Sequence, residues 1–194
     1  MNKGRIEALT DGIVAIAATI MVLELAVPDK PTAAALAKQW PTFLAYIISF
    51  FQIYLAWRSH HNAFHKAEKV NSTVFVLNGI WIFFITLVPF VTGYVGQYPN
   101  ERFPELLYIG TITLWSLAFQ FLDAAITRCN SGTQKDVVRT WKLRITLFGG
   151  YALAAITIWL KPIISIIIIG CITLLWGVIM LLPEKSKAQE KTAE

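Results

Sequence analysis

The sequence predicts an all-α, polytopic membrane protein with six transmembrane helices per subunit and both termini in the cytoplasm. Three observations carry that fold class. The chain is 56% hydrophobic and only 15% charged, whereas soluble domains carry roughly 25% charge. Its apolar residues fall into six runs separated by short polar or proline-marked breaks, and a helix needs about 20 such residues to cross the hydrocarbon core. Its basic residues gather in alternate breaks rather than in all of them.

The first helix, 5–27, starts beside Arg5 and is stopped by Pro28 and Pro31, because proline lacks the N–H that continues a helix. Pro41 suits a helix N-terminus and opens the second, 41–65, which crosses as far as Trp57 and continues as a polar extension to His65. Asn71-Ser72-Thr73 caps the third, 71–98, and Tyr98-Pro99-Asn100 ends it. Pro104 opens the fourth, 104–128. A polar loop rich in turn formers follows, from Asn130 to Asp136. The fifth helix covers 137–160, Lys161-Pro162 makes a tight turn, and the sixth covers 163–182 before Pro183. Residues 1–183 therefore read as a single transmembrane domain, and 184–194 as a charged cytoplasmic tail. The first apolar run lacks the cleavage site of a signal peptide and is expected to stay in the mature protein.

Orientation follows from the basic residues, which favour cytoplasmic loops. With the N-terminus inside, the cytoplasmic side holds thirteen, including Arg58, Lys66, Lys69 and the cluster from Arg128 to Arg144. The other side holds four: Lys30, Lys38, Arg102 and Lys161. An odd number of spans would scramble this asymmetry.

Several function classes drop out. A net charge of +5 is explained by topology, and no nucleic-acid partner is expected. Cys129 and Cys171 are far apart, without the C-x-x-C spacing of a zinc or redox site. There is no G-x-S-x-G, P-loop or dinucleotide fingerprint, so neither an enzyme nor a cofactor is expected.

Ionisable groups within spans are costly and so mark candidate functional sites. Asp11, flanked by Thr10 and Gly12, sits at the membrane boundary, with Arg5, His60 and His61 expected on the same side. An aspartate there also serves as a helix cap, and the residues leave both roles open. Further on, Ile16, Thr19, Ile20 and Leu23 form one helical stripe at i, i+3, i+4 and i+7, beside the small residues Ala15, Ala17 and Ala18. Such a stripe serves equally for packing or for lining a path. Glu24, near the outer end, either concentrates cations or is simply solvated.

The run from Arg5 through Leu9-Thr10-Asp11-Gly12 resembles the R-x-x-x-F-S-D-G signature of the transmembrane protein 175 potassium channels, with Leu9 for Phe and Thr10 for Ser. Two further stretches are similar to that family: Trp57-Arg58-Ser59-His60-His61-Asn62-Ala63-Phe64, and Leu77-Asn78 through Trp81 to Thr86-Leu87-Val88-Pro89-Phe90. The likeness is detailed over the first three helices; over the last three it extends only to their number and hydropathy. It implies six helices per subunit, a homotetramer, and a pore for potassium and other monovalent cations lined by the first helix. The narrowest ring would be Ile16, five residues after the signature Asp, with Thr19 one turn on and Leu23 as the next apolar ring. Arg5, Thr10 and Asp11, with either His60 or His61, would brace the pore helix. The resemblance implies a protein of the plasma membrane, the inner membrane of a bacterial cell, whose partners are its own copies and the surrounding lipids.

Other constellations weigh less. Thr92-Gly93-Tyr94-Val95-Gly96 holds the letters of the carbonyl potassium filter in the wrong order. His61 and His65 stand at i, i+4, without the Glu of an H-E-x-x-H zinc motif, and no metal is expected there. Asp123, with Gln120 and Arg128 nearby, suits a structural ion pair, and the cluster from Arg128 to Arg144 suits anionic lipid. The rival from another class is a secondary or proton-coupled transporter using Asp11, Asp123 or Glu24, but no pair of broken helices occurs at matching positions.

Overall fold

The computed structural model describes residues 2–130 and 141–181. In these, seven α-helices follow one another: α1 Lys3–Ile20, α2 Ala33–Ala37, α3 Trp40–His65, α4 Ser72–Gln97, α5 Arg102–Cys129, α6 Trp141–Thr157 and α7 Ile163–Leu181. A 3-10 turn, Met21–Glu24, extends α1. Among the described residues, five helices are long and apolar enough to cross a membrane: α1 with its 3-10 turn, α3, α4, α5 and α7. The helix α6 is apolar but shorter, its apolar part running over Arg144–Thr157.

Several ends differ from the sequence expectation, for local reasons. The first helix was expected to reach residue 27, but its α-helical hydrogen bonding stops at Ile20 and tightens into the 3-10 turn. The chain then leaves in an extended conformation at Leu25. The short α2 was not anticipated; the Thr32 side chain accepts from the Ala35 N–H at 3.2 Å and starts it. Asn71 caps α4 as expected, accepting from the Val74 N–H at 2.9 Å. The expected start of the fifth span at Val137 and the tail 184–194 lie outside the described residues.

No spanning segment has more than 39% of its apolar window buried within the chain, and α1 has only 28%. Large side chains such as Phe83, Phe90, Phe121 and Leu174 point outward. Water would penalise that exposure at roughly 25 cal/mol per Å²; lipid does not. The packed core instead runs along α4, which lies against α1, α3 and α5. Trp81, Ile85 and Val88 of α4 meet Phe64 of α3 and Tyr108, Ile112 and Leu122 of α5. Glycine permits one close approach there: at Gly96 of α4 a Cβ would stand 2.8 Å from the Thr42 Cα of α3. The Thr42 hydroxyl donates to the Gly96 carbonyl at 3.0 Å.

Polar side chains join the helices where hydropathy alone would not. A buried chain runs from the Thr92 hydroxyl to Ser49 at 2.8 Å, then to the Tyr108 hydroxyl at 2.9 Å, which donates to Gln52 at 3.1 Å. It links α4, α3 and α5. Asn130, just past α5, clamps the α3–α4 connection, accepting from the Glu68 and Lys69 N–H groups at 2.9 and 2.8 Å.

Candidate functional site: the first helix and its braces

At about 100° per residue, Ile6, Thr10, Val14 and Ala17 share one face of α1, and all four are buried. Met21 continues that face and is fully buried. The face packs on α3 and α4, so the rotation of α1 about its axis is set by its own core residues.

Polar contacts reinforce that rotation. The Thr10 hydroxyl donates to the Ile6 carbonyl at 2.8 Å, one turn back. Its oxygen in turn accepts from the Asn78 amide N–H of α4 at 3.0 Å. The amide oxygen of Asn78 then meets Nε2 of His60 on α3 at 2.7 Å, so Nε2 carries the proton. His60 is stacked between Phe64, with ring centres 4.4 Å apart, and Trp81, at 4.8 Å. Thr10, Asn78 and His60 are each no more than 2% exposed. An interhelical hydrogen bond of this kind in a membrane protein contributes about 0.6 kcal/mol, and up to about 1.7.

One residue further, Asp11 faces a different neighbour. It is exposed, and its carboxylate accepts from the indole N–H of Trp57 on α3 at 2.8 Å. Adjacent side chains therefore tie α1 to two helices, Thr10 to α4 and Asp11 to α3. The choice between the two histidines is decided by direction. His60 enters the junction, while His61 is exposed and lies against Trp57 and His65. Arg5 is not brought to either contact; it is exposed and forms no hydrogen bond or ion pair among the described residues.

The stripe lies on another side of α1. Ile16 is 58% exposed, Ile20 44% and Leu23 76%, and Thr19 between them is exposed as well. In a 3-10 turn residues three apart eclipse, so the turn keeps Leu23 stacked over Ile20. The Thr19 hydroxyl hydrogen is engaged within its own helix, 2.9 Å from both the Ala15 and Ile16 carbonyls. Its oxygen lone pairs remain free to accept. Glu24 is half-buried and its carboxylate rests against Gly93 of α4.

Two residues of the candidate site, Asn78 and Trp57, have no role assigned by the sequence beyond their place inside the similar stretches. A signal was available for Asn78, since a primary amide in an otherwise apolar span must find partners. For Trp57 there was none, because tryptophan is common at membrane boundaries. The run from Thr92 to Gly96 lies inside the continuous helix α4, its carbonyls directed along the helix. Among the described residues, no three His, Cys, Asp or Glu side chains gather in a way that would hold a metal ion.

The family model described as the endosomal/lysosomal potassium channel TMEM175 matches residues 5–89. A potassium channel of a Chryseobacterium species is 34% identical over 188 residues, covering 95% of this chain and 95% of that relative. The chain belongs to the TMEM175 family. A second relative, a potassium channel of Chamaesiphon minutus, is 33% identical over 130 residues, 62% of this chain and 64% of its own length. The likeness also reaches past the first three helices. The crystal structure of a lysosomal potassium-selective channel TMEM175 homolog from Chamaesiphon minutus matches with a TM-score of 0.80 and 26% identity, covering 93% of this chain and 98% of that one. Like its TMEM175 relatives, this chain is a multi-pass membrane protein. The segment matched by the family model contains nearly all of α1, all of α2 and α3, and most of α4; α1, α3 and α4 are the helices joined through Thr10, Asp11, Trp57, His60 and Asn78.

Proposed function

We propose that four copies of this chain form a potassium-permeable cation channel of the plasma membrane, the inner membrane of a bacterial cell. The first helix of each subunit lines the pore. The observation that carries this is the outward stripe of α1: Ile16, Ile20 and Leu23 are exposed in the single chain while the packed face of the same helix is buried. Lipid would accept those apolar side chains, but a lipid-facing stripe has no need of the Thr19 hydroxyl in its middle. The names of the relatives, potassium channels from two bacteria, agree.

Each subunit spans six times, with α6 counted as the fifth span, and both termini face the cytoplasm, where thirteen of the seventeen Lys and Arg residues then lie. Four Ile16 side chains around an axis make a constriction that dewets and blocks ions when narrow, and conducts when slightly wider. An ion passing it sheds part of its water without carbonyl ligands to replace it. Potassium holds its water less tightly than sodium, so it loses less, and moderate selectivity follows. Thr19 offers oxygen ligands one turn away, its hydrogen being directed back into the helix. Glu24 raises the cation concentration at the outer mouth. Asp11 and Thr10, through Trp57, Asn78 and His60, hold the pore helix in rotation, with Arg5 near its cytoplasmic end. Potassium is the permeant ion, and no cofactor takes part.

Recording from purified protein in planar bilayers tests this. Unitary current steps with a reversal potential displaced toward potassium are expected. Saturable flux coupled to a second gradient, without unitary steps, would instead establish a carrier.

A further inference from the structure

A cavity of about 450 Å³ lies between α3, α5, α6 and α7, with Trp81 of α4 also at its wall. That volume is in the range of about 300–1,000 Å³ typical of small-molecule sites. Its walls are aromatic and apolar, with Trp81, Trp115, Phe119 and Trp176 among them. One end, near the C-terminal ends of α3 and α7 and the start of α6, carries Arg58, Lys66 and Arg144.

Two residues lining this cavity carry a donor with no acceptor among the described residues. The indole N–H of Trp115, a residue 3% exposed, and the Nε of Arg144 are both shielded and hydrogen-bond to nothing among the described residues. Buried donors in folded proteins are almost always paired, so two unpaired ones around a single cavity call for a ligand with oxygen acceptors. Arg58 is held in place by one bond, from Nη2 to the Met180 carbonyl at 3.1 Å. A guanidinium has five N–H donors in a fixed fork, so several remain for a second acceptor.

We propose that this cavity binds one anionic phospholipid per subunit. The phosphate sits between Arg58 and Arg144, an ester carbonyl accepts from Trp115, and acyl chain fills the aromatic part. The walls are helices embedded in lipid, so a lipid reaches the cavity sideways without crossing water. Charge selects the headgroup: a choline would set another cation beside Arg58, Lys66 and Arg144, whereas a glycerol headgroup leaves the phosphate charge unopposed. A free fatty acid would offer its carboxylate to the arginines and leave Trp115 unpaired. The proposal depends on the chain being embedded in a bilayer and not on its conducting ions.

The test is native mass spectrometry of the full-length protein in mild detergent, titrated separately with phosphatidylglycerol, phosphatidylcholine and oleate. One phosphatidylglycerol per subunit is expected, bound about tenfold more tightly than phosphatidylcholine or oleate, as fits one charge-assisted contact. Arg144→Gln and Trp115→Phe should each weaken phosphatidylglycerol severalfold. Leu175→Trp, which enlarges a side chain lining the cavity from α7 and 45% exposed, should cut retention severalfold with little effect on the melting temperature of lipid-free protein, and it stands in if Arg144→Gln assembles poorly. Equal binding of phosphatidylglycerol and phosphatidylcholine, tighter binding of oleate, or unaltered retention in Leu175→Trp would overturn the proposal.

Discussion

The indole N–H of Trp57 donates to Oδ1 of Asp11 across 2.8 Å, so the acid of the first-helix signature is anchored by a neutral partner on α3. A cation at that place would cancel its charge; the indole leaves the charge intact and fixes only its position. Thr10, the residue before, faces α4 through Asn78. Two successive residues thus set the orientation of α1 relative to two other helices.

Trp57→Phe keeps the ring and removes the donor. A hydrogen bond to a charged group contributes about 1.5–3 kcal/mol when buried, and the exposure of Asp11 puts the expected loss well below that. Open probability in single-channel records should change, with the reversal potential unaltered. Asp11→Asn keeps the acceptor oxygen and should be milder than Asp11→Ala.

Replacing Asn78 by Leu leaves the His60 N–H without an acceptor in a buried site. The cost of an unsatisfied buried group is about 1–3 kcal/mol, and thermal melting of the purified protein should fall accordingly. His61→Ala, on the exposed neighbour, should move the melting temperature little. If His61→Ala is the more damaging of the two, the junction has been assigned to the wrong histidine.

At the proposed constriction, Ile16→Asn wets the ring and should raise leak current several-fold. Thr19→Ala removes the oxygen ligands and should draw the reversal potential toward that of a non-selective pore. Unchanged currents and reversal potentials in both would place the ion path elsewhere.

Cysteine cross-linking separates the two faces of the first helix. In a background with Cys129 and Cys171 replaced by Ser, Leu23→Cys should form disulfide-linked dimers under mild oxidant, because that side chain is 76% exposed toward the proposed axis. Met21→Cys should not, since Met21 is fully buried in its own subunit. Sulfurs link only when their Cα atoms come within about 7 Å, so a denaturing gel reads the geometry directly.

Gly96→Ala should destabilise the α3–α4 contact by about 1–3 kcal/mol, the range for overpacking, because the new methyl meets the Thr42 backbone. Gly110→Ala, with open space around its Cβ position, should be neutral or stabilising by about 0.5–1 kcal/mol. The difference between the two melting temperatures is the measurement.

Membrane embedding and the positions of the long spans were legible in one dimension, because hydropathy sums along the chain and proline and asparagine mark the ends of helices. The stripe of Ile16, Thr19, Ile20 and Leu23 was legible too, since helical periodicity alone places those side chains together; its exposure was not. Periodicity cannot say which face of α1 its neighbours cover. Only the packed structure separated His60 from His61, paired Asp11 with Trp57 while leaving Arg5 apart, and gave Asn78 its place between Thr10 and His60. The reason is geometric: adjacent residues on a helix point about 100° apart, so partners from α1, α3 and α4 are chosen by how three helices are rotated against one another. That rotation is fixed by side chains such as Val14, Trp81 and Phe64, far apart in sequence and adjacent only once folded.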